Sequence, residues 1–367
     1  MRIVAFDILR LDLPFDDLYD GPRHKPRGWT QFDHVLLKLT DEAGHEGWGE
    51  AFAFACPAAT QAVLRDMVQP RVLGREIDDI ANFMHWLQVE LHIQGRYGIT
   101  QFALSGLDIA LWDLAGQRAG QSISRLLGGR GQNGRWRESI PAYASLVRYG
   151  APGPVAAMAT RAAAEGYECV KLHEIAYEPI AAARAALGPD IKLTTDVNCA
   201  WSRAEAETML PRMHDLGLYW VEEPIFPPED YEAHAALAER HGVALAAGEN
   251  ACTALEFQRL SAALAFPQPS VVKLGGICEF IKVVQHAAQL GRSVMPHSPY
   301  FGPGYWATLQ LAAHCEAVAQ FEFLYVKPER WIGLDMPLPQ NGSIRIPDAP
   351  GLGFRPDSET LSRFRVS

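Results

Sequence analysis

From residue 139 onwards the chain alternates between short β-rich runs and Ala-rich helical runs, and this alternation restricts the fold more than any other feature. Residues 139–146, 168–173, 192–196, 218–222, 243–249, 270–273, 293–297 and 318–323 read as strands. Residues 155–165, 203–216 and 277–290 are examples of the helices between them. Strands that alternate with helices pair in parallel and cross over through those helices. Eight such strands in about 190 residues favour a closed (β/α) barrel over an open sheet.

The amino-terminal third has another rhythm. Residues 3–13 and 34–40 read as strands, with Asp41-Glu42-Ala43-Gly44 as the turn that follows. Gly47-Trp48-Gly49-Glu50 opens a third strand, giving an antiparallel meander. Residues 58–91 turn helical. The clearest helix is 99–119, where Leu104, Leu107, Leu111 and Leu114 form one apolar stripe and Gly120 supplies a stop. The Gly-rich run 128–134 is a break. The expected organisation is an α+β domain at 1–128, the barrel at 129–330, and a C-terminal segment at 331–367. That segment shows no clear helix, and its run 342–347 reads as a strand returning to the first domain.

The chain has 367 residues, 48% hydrophobic and 21% charged, as expected of a soluble globular enzyme. Its net charge of −10 argues against a nucleic-acid surface, which needs concentrated Lys and Arg. The six cysteines are scattered without a Cys-x-x-Cys pair, which suits a reducing compartment. No apolar run reaches the length of a membrane span, and residues 1–15 lack the apolar core of a signal peptide. The expectation is a cytoplasmic protein with no membrane and no nucleic-acid partner.

The polar residues at the strand ends carry the chemistry. Lys171 and His173 end the second strand, Asp196 and Asn198 the third, Glu222 the fourth and Glu249 the fifth. Ser270 begins the sixth, His297 ends the seventh, and Glu322 lies on the eighth. Residues one βα unit apart converge on one mouth of a barrel, where active sites sit. Asp196, Glu222 and Glu249 offer hard oxygen donors of the kind Mg²⁺ prefers. Glu223 should point the other way. Lys171 and His173, two apart, share a face, and His297 comes from the far side of the barrel. Two bases flanking a carboxylate substrate suit removal of an α-proton. The loop 16–29 holds Arg23, His24, Lys25 and Arg27, and reads either as a solvated basic loop or as a flap meeting an anionic substrate.

These residues resemble the enolase superfamily, specifically its mandelate racemase branch. The resemblance spans essentially the whole chain. It rests on Ala103–Ala115, Val170-Lys171-Leu172-His173, Thr195-Asp196-Val197-Asn198, Val221-Glu222-Glu223-Pro224, Gly248-Glu249-Asn250, Lys273-Leu274-Gly275-Gly276, Pro296-His297 and Phe321-Glu322. It implies a modified (β/α)7β barrel of the TIM type, with an α+β capping domain completed by the C-terminal tail. It also implies one Mg²⁺ per subunit on Asp196, Glu222 and Glu249, and a homo-oligomer, dimer or octamer. Lys171 resembles the lysine that neutralises the substrate carboxylate, His297 the seventh-strand base, and Glu322 the acid bonded to the enolate's carboxylate. Asn198 resembles a substrate or metal-shell contact, and the basic loop a specificity flap. Arg23, His24, Lys25, Ser270 and Tyr300 complete the candidate substrate-binding set. The chain departs from the branch at two positions: His173 replaces a second lysine, and Ser270 replaces the aspartate that pairs with the histidine. The reaction implied is proton abstraction α to a carboxylate through an enolate. Dehydration of a sugar acid or other hydroxy acid to a 2-keto acid is the first reading. Racemisation, epimerisation or cycloisomerisation is the second, and a catalytically inactive metal-binding barrel the third.

Overall fold

In the computed structural model, which describes residues 1–21, 28–128 and 136–366, the meander is present. β1 (Ile3–Asp16), β2 (Gln31–Asp41) and β3 (Glu46–Ala51) pair antiparallel in chain order. The period of two sorts the side chains of β2 between two cores. Val35, Leu37 and Leu39 pack into the core of the cap, whereas Phe32 and Leu36, on the other face with His34, pack with barrel residues. The helix Ile99–Ala119 lies on the sheet with Leu104, Leu107, Leu111 and Leu114 in the cap core, and Gly120 ends it at φ 63°. Gly49 is required where helix and sheet meet, because a Cβ there would stand 2.0 Å from the Gly106 carbonyl oxygen.

The barrel follows. β4 (Ser139–Ser145), β5 (Cys169–Leu172), β6 (Lys192–Asp196), β7 (Val221–Glu222), β8 (Leu245–Ala247) and β9 (Phe266–Pro267) pair in parallel in that order, and β10 (Phe321–Leu324) returns to β4. An extended segment closes the ring: the Met295 N–H donates to the Pro267 carbonyl at 3.0 Å, and Val294 bridges Val318 in parallel. The architecture is α/β, a (β/α)7β barrel with a cap. The helices Pro152–Ala164, Arg203–Asp215 and Ile277–Gln289 stand where the alternation predicts them.

Three expectations are corrected. Residues 270–273 are not the sixth strand; β9 lies earlier, and the Lys273 and Leu274 N–H groups turn back to the Ser270 carbonyl. Pro267 and Pro269 have no N–H to continue a ladder, so apolar Val271 and Val272 are buried in a turn instead. The run 342–347 does contain a strand, but that strand pairs antiparallel with β4 rather than with the cap. The chain returns to the cap at β11 (Lys327–Pro328), just before the tail, and again at the tail's last strand. With the barrel-bound run as β12 (Ser343–Arg345), that last strand is β13 (Arg365–Val366), and both β11 and β13 pair with β1. The tail also holds a helix, Ser358–Arg363, capped by Asp357 and too short to show an apolar period.

One join between cap and barrel is at the start of the helix Ile277–Gln289. Asp108 Oδ1 accepts from the N–H of Ile277 at 2.5 Å and of Cys278 at 3.2 Å, and Ser105 Oγ accepts from the Gly275 N–H at 2.8 Å. All six cysteines are free thiols. Among the described residues, no helix is long and apolar enough to cross a membrane.

Candidate active site

Lys171 is fully buried in the mouth of the barrel. Its Nζ lies 2.6 Å from Glu222 Oε1, 3.1 Å from Glu322 Oε1 and 3.3 Å from Asp196 Oδ2. β5, β6, β7 and β10 each deliver one of these groups, as the spacing of one polar residue per βα unit predicts.

One cation is shared by three buried acids, so all three cannot be fully ionised around it. Burial works against charge on Lys171, but Glu222, Glu322 and Asp196 outweigh it and hold the lysine well above its ordinary value. Burial pushes Asp196 up to about 6 and Glu222 up to about 8, with Lys171 pulling each of them down. Glu322 is also buried, yet Lys171, then His297 and His173, bring it below the usual carboxylate value. Its Oε1 accepts from Ser145 Oγ at 2.8 Å and its Oε2 from the Ser298 N–H at 3.0 Å.

Two imidazoles face different acids. His297 Nε2 lies 2.7 Å from Glu249 Oε2. Against the cost of burial, His297 holds Glu249 well below the carboxylate range. His173 Nε2 lies 3.5 Å from Asp196 Oδ2, while its Nδ1 meets the Leu146 carbonyl at 2.5 Å. Burial first, and the charge of Lys171 second, push His173 down to about 4. The imidazole, with 21% of its side-chain surface in solvent, is therefore neutral at pH 7.

Other candidates fall into place unevenly. Asn198, at φ 47°, is exposed beside Asp196, donating its N–H to Asp196 Oδ1 at 2.8 Å and accepting from Arg148 Nη2 at 3.1 Å. Ser270 Oγ lies 3.4 Å from the Tyr300 hydroxyl, and no hydrogen bond joins it to His297, whose Nδ1 has no partner among the described residues. The Tyr300 hydroxyl donates to the His297 carbonyl at 2.8 Å, so it braces the backbone under the imidazole. Glu223 turns away from Lys171, accepting from Asn250 Nδ2 at 2.7 Å and Cys199 Sγ at 3.4 Å. Arg23, His24 and Lys25 lie outside the described residues.

Two contacts on Glu222 do not follow from the sequence pattern. Gln268 Nε2 donates to Glu222 Oε2 at 2.6 Å, and Trp220 Nε1 does so at 3.3 Å. Trp220 sits in the same stretch as Glu222. The only signal for Gln268 is its place at the end of the true sixth strand.

The residues suit a hard divalent cation by their chemistry. Asp196, Glu222 and Glu249 offer only oxygen, and the acids around Lys171 leave negative charge uncompensated. Oδ2 of Asp196 is buried and makes no hydrogen bond. Among the described residues, no three His, Cys, Asp or Glu side chains already converge as a ligand set. Lys171 stands between Asp196 and Glu222, and Glu249 is drawn to His297.

Residues 154–360 match the family described as enolase C-terminal domain-like, and residues 27–128 match the mandelate racemase/muconate lactonizing enzyme N-terminal domain. The chain belongs to the enolase superfamily. Within it, the chain is 33% identical to D-galactarolactone cycloisomerase of Agrobacterium fabrum, over 97% of this chain and 96% of that one. It is 28% identical to arabinonate dehydratase of Saccharolobus solfataricus, over 87% of each. The crystal structure of a mandelate racemase/muconate lactonizing protein from Paracoccus denitrificans complexed with magnesium superposes with a TM-score of 0.82. That structure is 26% identical and covers 100% of this chain and 98% of its own.

Proposed function

We propose that this enzyme removes the proton α to the carboxylate of a small sugar acid and expels the β-hydroxyl, giving a 2-keto acid. The observation that carries the reading is the pair of imidazoles on different acids, His173 at 3.5 Å from Asp196 and His297 at 2.7 Å from Glu249, with the Lys171 ammonium between Asp196 and Glu322. Lys171 is the cation for the substrate carboxylate. His173, neutral, can accept the α-proton, and His297 can hand a proton to the departing hydroxyl; the reverse assignment uses the same two atoms. Glu322, ionised in the free protein, takes up a proton as negative charge develops beside it and in that form donates to the substrate carboxylate. Asp196, Glu222 and Glu249 are the residues proposed to hold one Mg²⁺ per subunit. When bound, the ion supplies positive charge for the electron density that builds on the substrate carboxylate. Asn198, Ser270, Tyr300 and the basic loop with Arg23, His24 and Lys25 are proposed to line the substrate side.

A second reading, cycloisomerisation, is favoured by the 33% identity to a galactarolactone cycloisomerase. It uses the same proton abstraction, but the group expelled remains part of the substrate. Mass spectrometry separates the two on a panel of sugar acids and lactones with magnesium: a dehydratase product loses one water and traps as a 2-keto acid, and a cycloisomerase product keeps its mass. Turnover of no acid or lactone in the panel contradicts both readings.

We further propose a division into cap (1–128), barrel (129–330) and returning tail (331–367), a homo-oligomer of dimer or octamer type, and a cytoplasmic location, which the six free thiols favour.

A further inference from the structure

We propose that the buried His34–Glu50 pair of the cap is a positioning device for His297, acting through the segment 297–304. The inference rests on the reading of His297 as an acid/base group. His34 and Glu50 lie on neighbouring strands with their side chains 2% and 4% exposed, joined at 2.7 Å between Nδ1 and Oε1. The other carboxylate oxygen, Oε2, crosses to the barrel and accepts from the Gly304 N–H at 2.9 Å. Gly304 is in the first turn of the helix Pro303–His314, where N–H groups have no partner within the helix and negative charge is favoured.

The cradle is built to admit this carboxylate. A Cβ at residue 302 would stand 2.6 Å from Glu50 Oε2, and one at 304 would stand 2.4 Å from Val272 Cγ1 and 3.0 Å from Glu50 Oε2. Phe301 meets Phe32 of the cap edge-on at 5.2 Å. At the other end of the segment, the Ser298 N–H is fixed on Glu322, and the Tyr300 hydroxyl is fixed on the His297 carbonyl. His297 therefore sits on a short span held by the barrel at one end and by the cap at the other. Asp196 and Glu222 lie on β6 and β7, so loosening the cap end moves His297 relative to them.

The test uses the full-length enzyme with magnesium, and α-proton exchange in heavy water on both α-epimers of an accepted acid. Glu50→Leu removes the acceptor, and Gly302→Ala sets a methyl 2.6 Å from Glu50 Oε2 and 2.7 Å from Oε1, which forces segment and carboxylate apart with both His34 and Glu50 retained and keeps the test intact should the first variant not fold. The expected result is a loss of about tenfold or more, as is usual when an orienting partner is removed, in exchange of the epimer that faces His297. The other epimer changes by less than about twofold. Glu50→Gln, which keeps a carbonyl oxygen for the Gly304 N–H, recovers the rate to within about threefold of wild type. By mass spectrometry, amide exchange rises in 298–305 and is unchanged in 193–198 and 219–224. Equal loss on both epimers, or unchanged exchange in 298–305, overturns the proposal. If the wild type exchanges neither epimer, the reaction itself is misread, and the amide readout alone decides whether the tether exists.

Discussion

Gln268 Nε2 donates to Glu222 Oε2 at 2.6 Å, and this bond leaves Oε1 as the oxygen that Glu222 presents to Lys171. Both side chains are fully buried. The amide fixes which way the carboxylate faces, so its value lies in geometry more than in charge. Gln268→Leu keeps the volume and removes the donor. It should weaken Mg²⁺ binding by about 10- to 100-fold, the usual effect of losing a partner of a ligating group. Calorimetric titration of the substrate-free protein checks this, and unchanged affinity would remove Gln268 from the account.

Lys171→Met should destabilise the metal-free protein, and more so at high pH. The lysine is the only cation within bonding reach of Glu222 among the described residues. Burial has raised Glu222 from 4.5 to about 8, so the stability linked to its protonated form is fully present below 4.5 and is lost as pH rises through about 8. Without Lys171 that loss deepens, by about 3–5 kcal/mol where a buried pair is broken. Urea unfolding at pH 5 and pH 8 should show the larger deficit at pH 8, and added magnesium should recover part of it.

Asp108 supplies a pH signature outside the mouth. Burial raises it from 3.8 to about 7, against the hydrogen bonds from Cys278 and Ile277. Its folded value lies above its unfolded one, so its contribution is complete below about 4 and lost as pH rises to about 7. Asp108→Asn keeps an acceptor for the Ile277 N–H and cannot ionise. The variant should gain on the wild type by ~1.4 kcal/mol per pH unit across that window and by nothing further above it. Paired denaturation curves from pH 4 to pH 8.5 give the slope, and parallel curves would contradict it.

The barrel and its acids can be read from the sequence because one polar residue recurs in each βα unit, and a parallel barrel turns that recurrence into proximity. Asp196, Glu222, Lys171 and Glu322 follow from that rule alone. Glu249 does not complete the cluster, because His297 competes for it, and the strength of a carboxylate–imidazole contact has no trace in spacing. Gln268 is hidden for another reason. Val271 and Val272 look like the strand, while the prolines on either side of Gln268 stop the ladder before them. The His34–Glu50 pair is equally silent, since a salt bridge across a hairpin depends on register. The tail helix is too short for periodicity, and β12 carries one buried apolar residue, Ile344, which cannot say which sheet it joins.

His173→Asn and His297→Asn should separate the two proton positions. Each imidazole faces its own acid, so each variant should lose exchange on one epimer by about 10²-fold or more, the scale of a lost general acid or base, and keep most of it on the other. Equal activity in both variants on both epimers would contradict a site with two bases.

The central claim is that this mouth removes a proton α to a carboxylate and needs a divalent cation to do so. It is tested most directly by following the α-proton of a panel of sugar acids by NMR in heavy water, with magnesium and after chelation. At least one acid should lose its α-proton signal with magnesium present and keep it without. No exchange by any acid, or exchange that chelation leaves unchanged, would contradict the account.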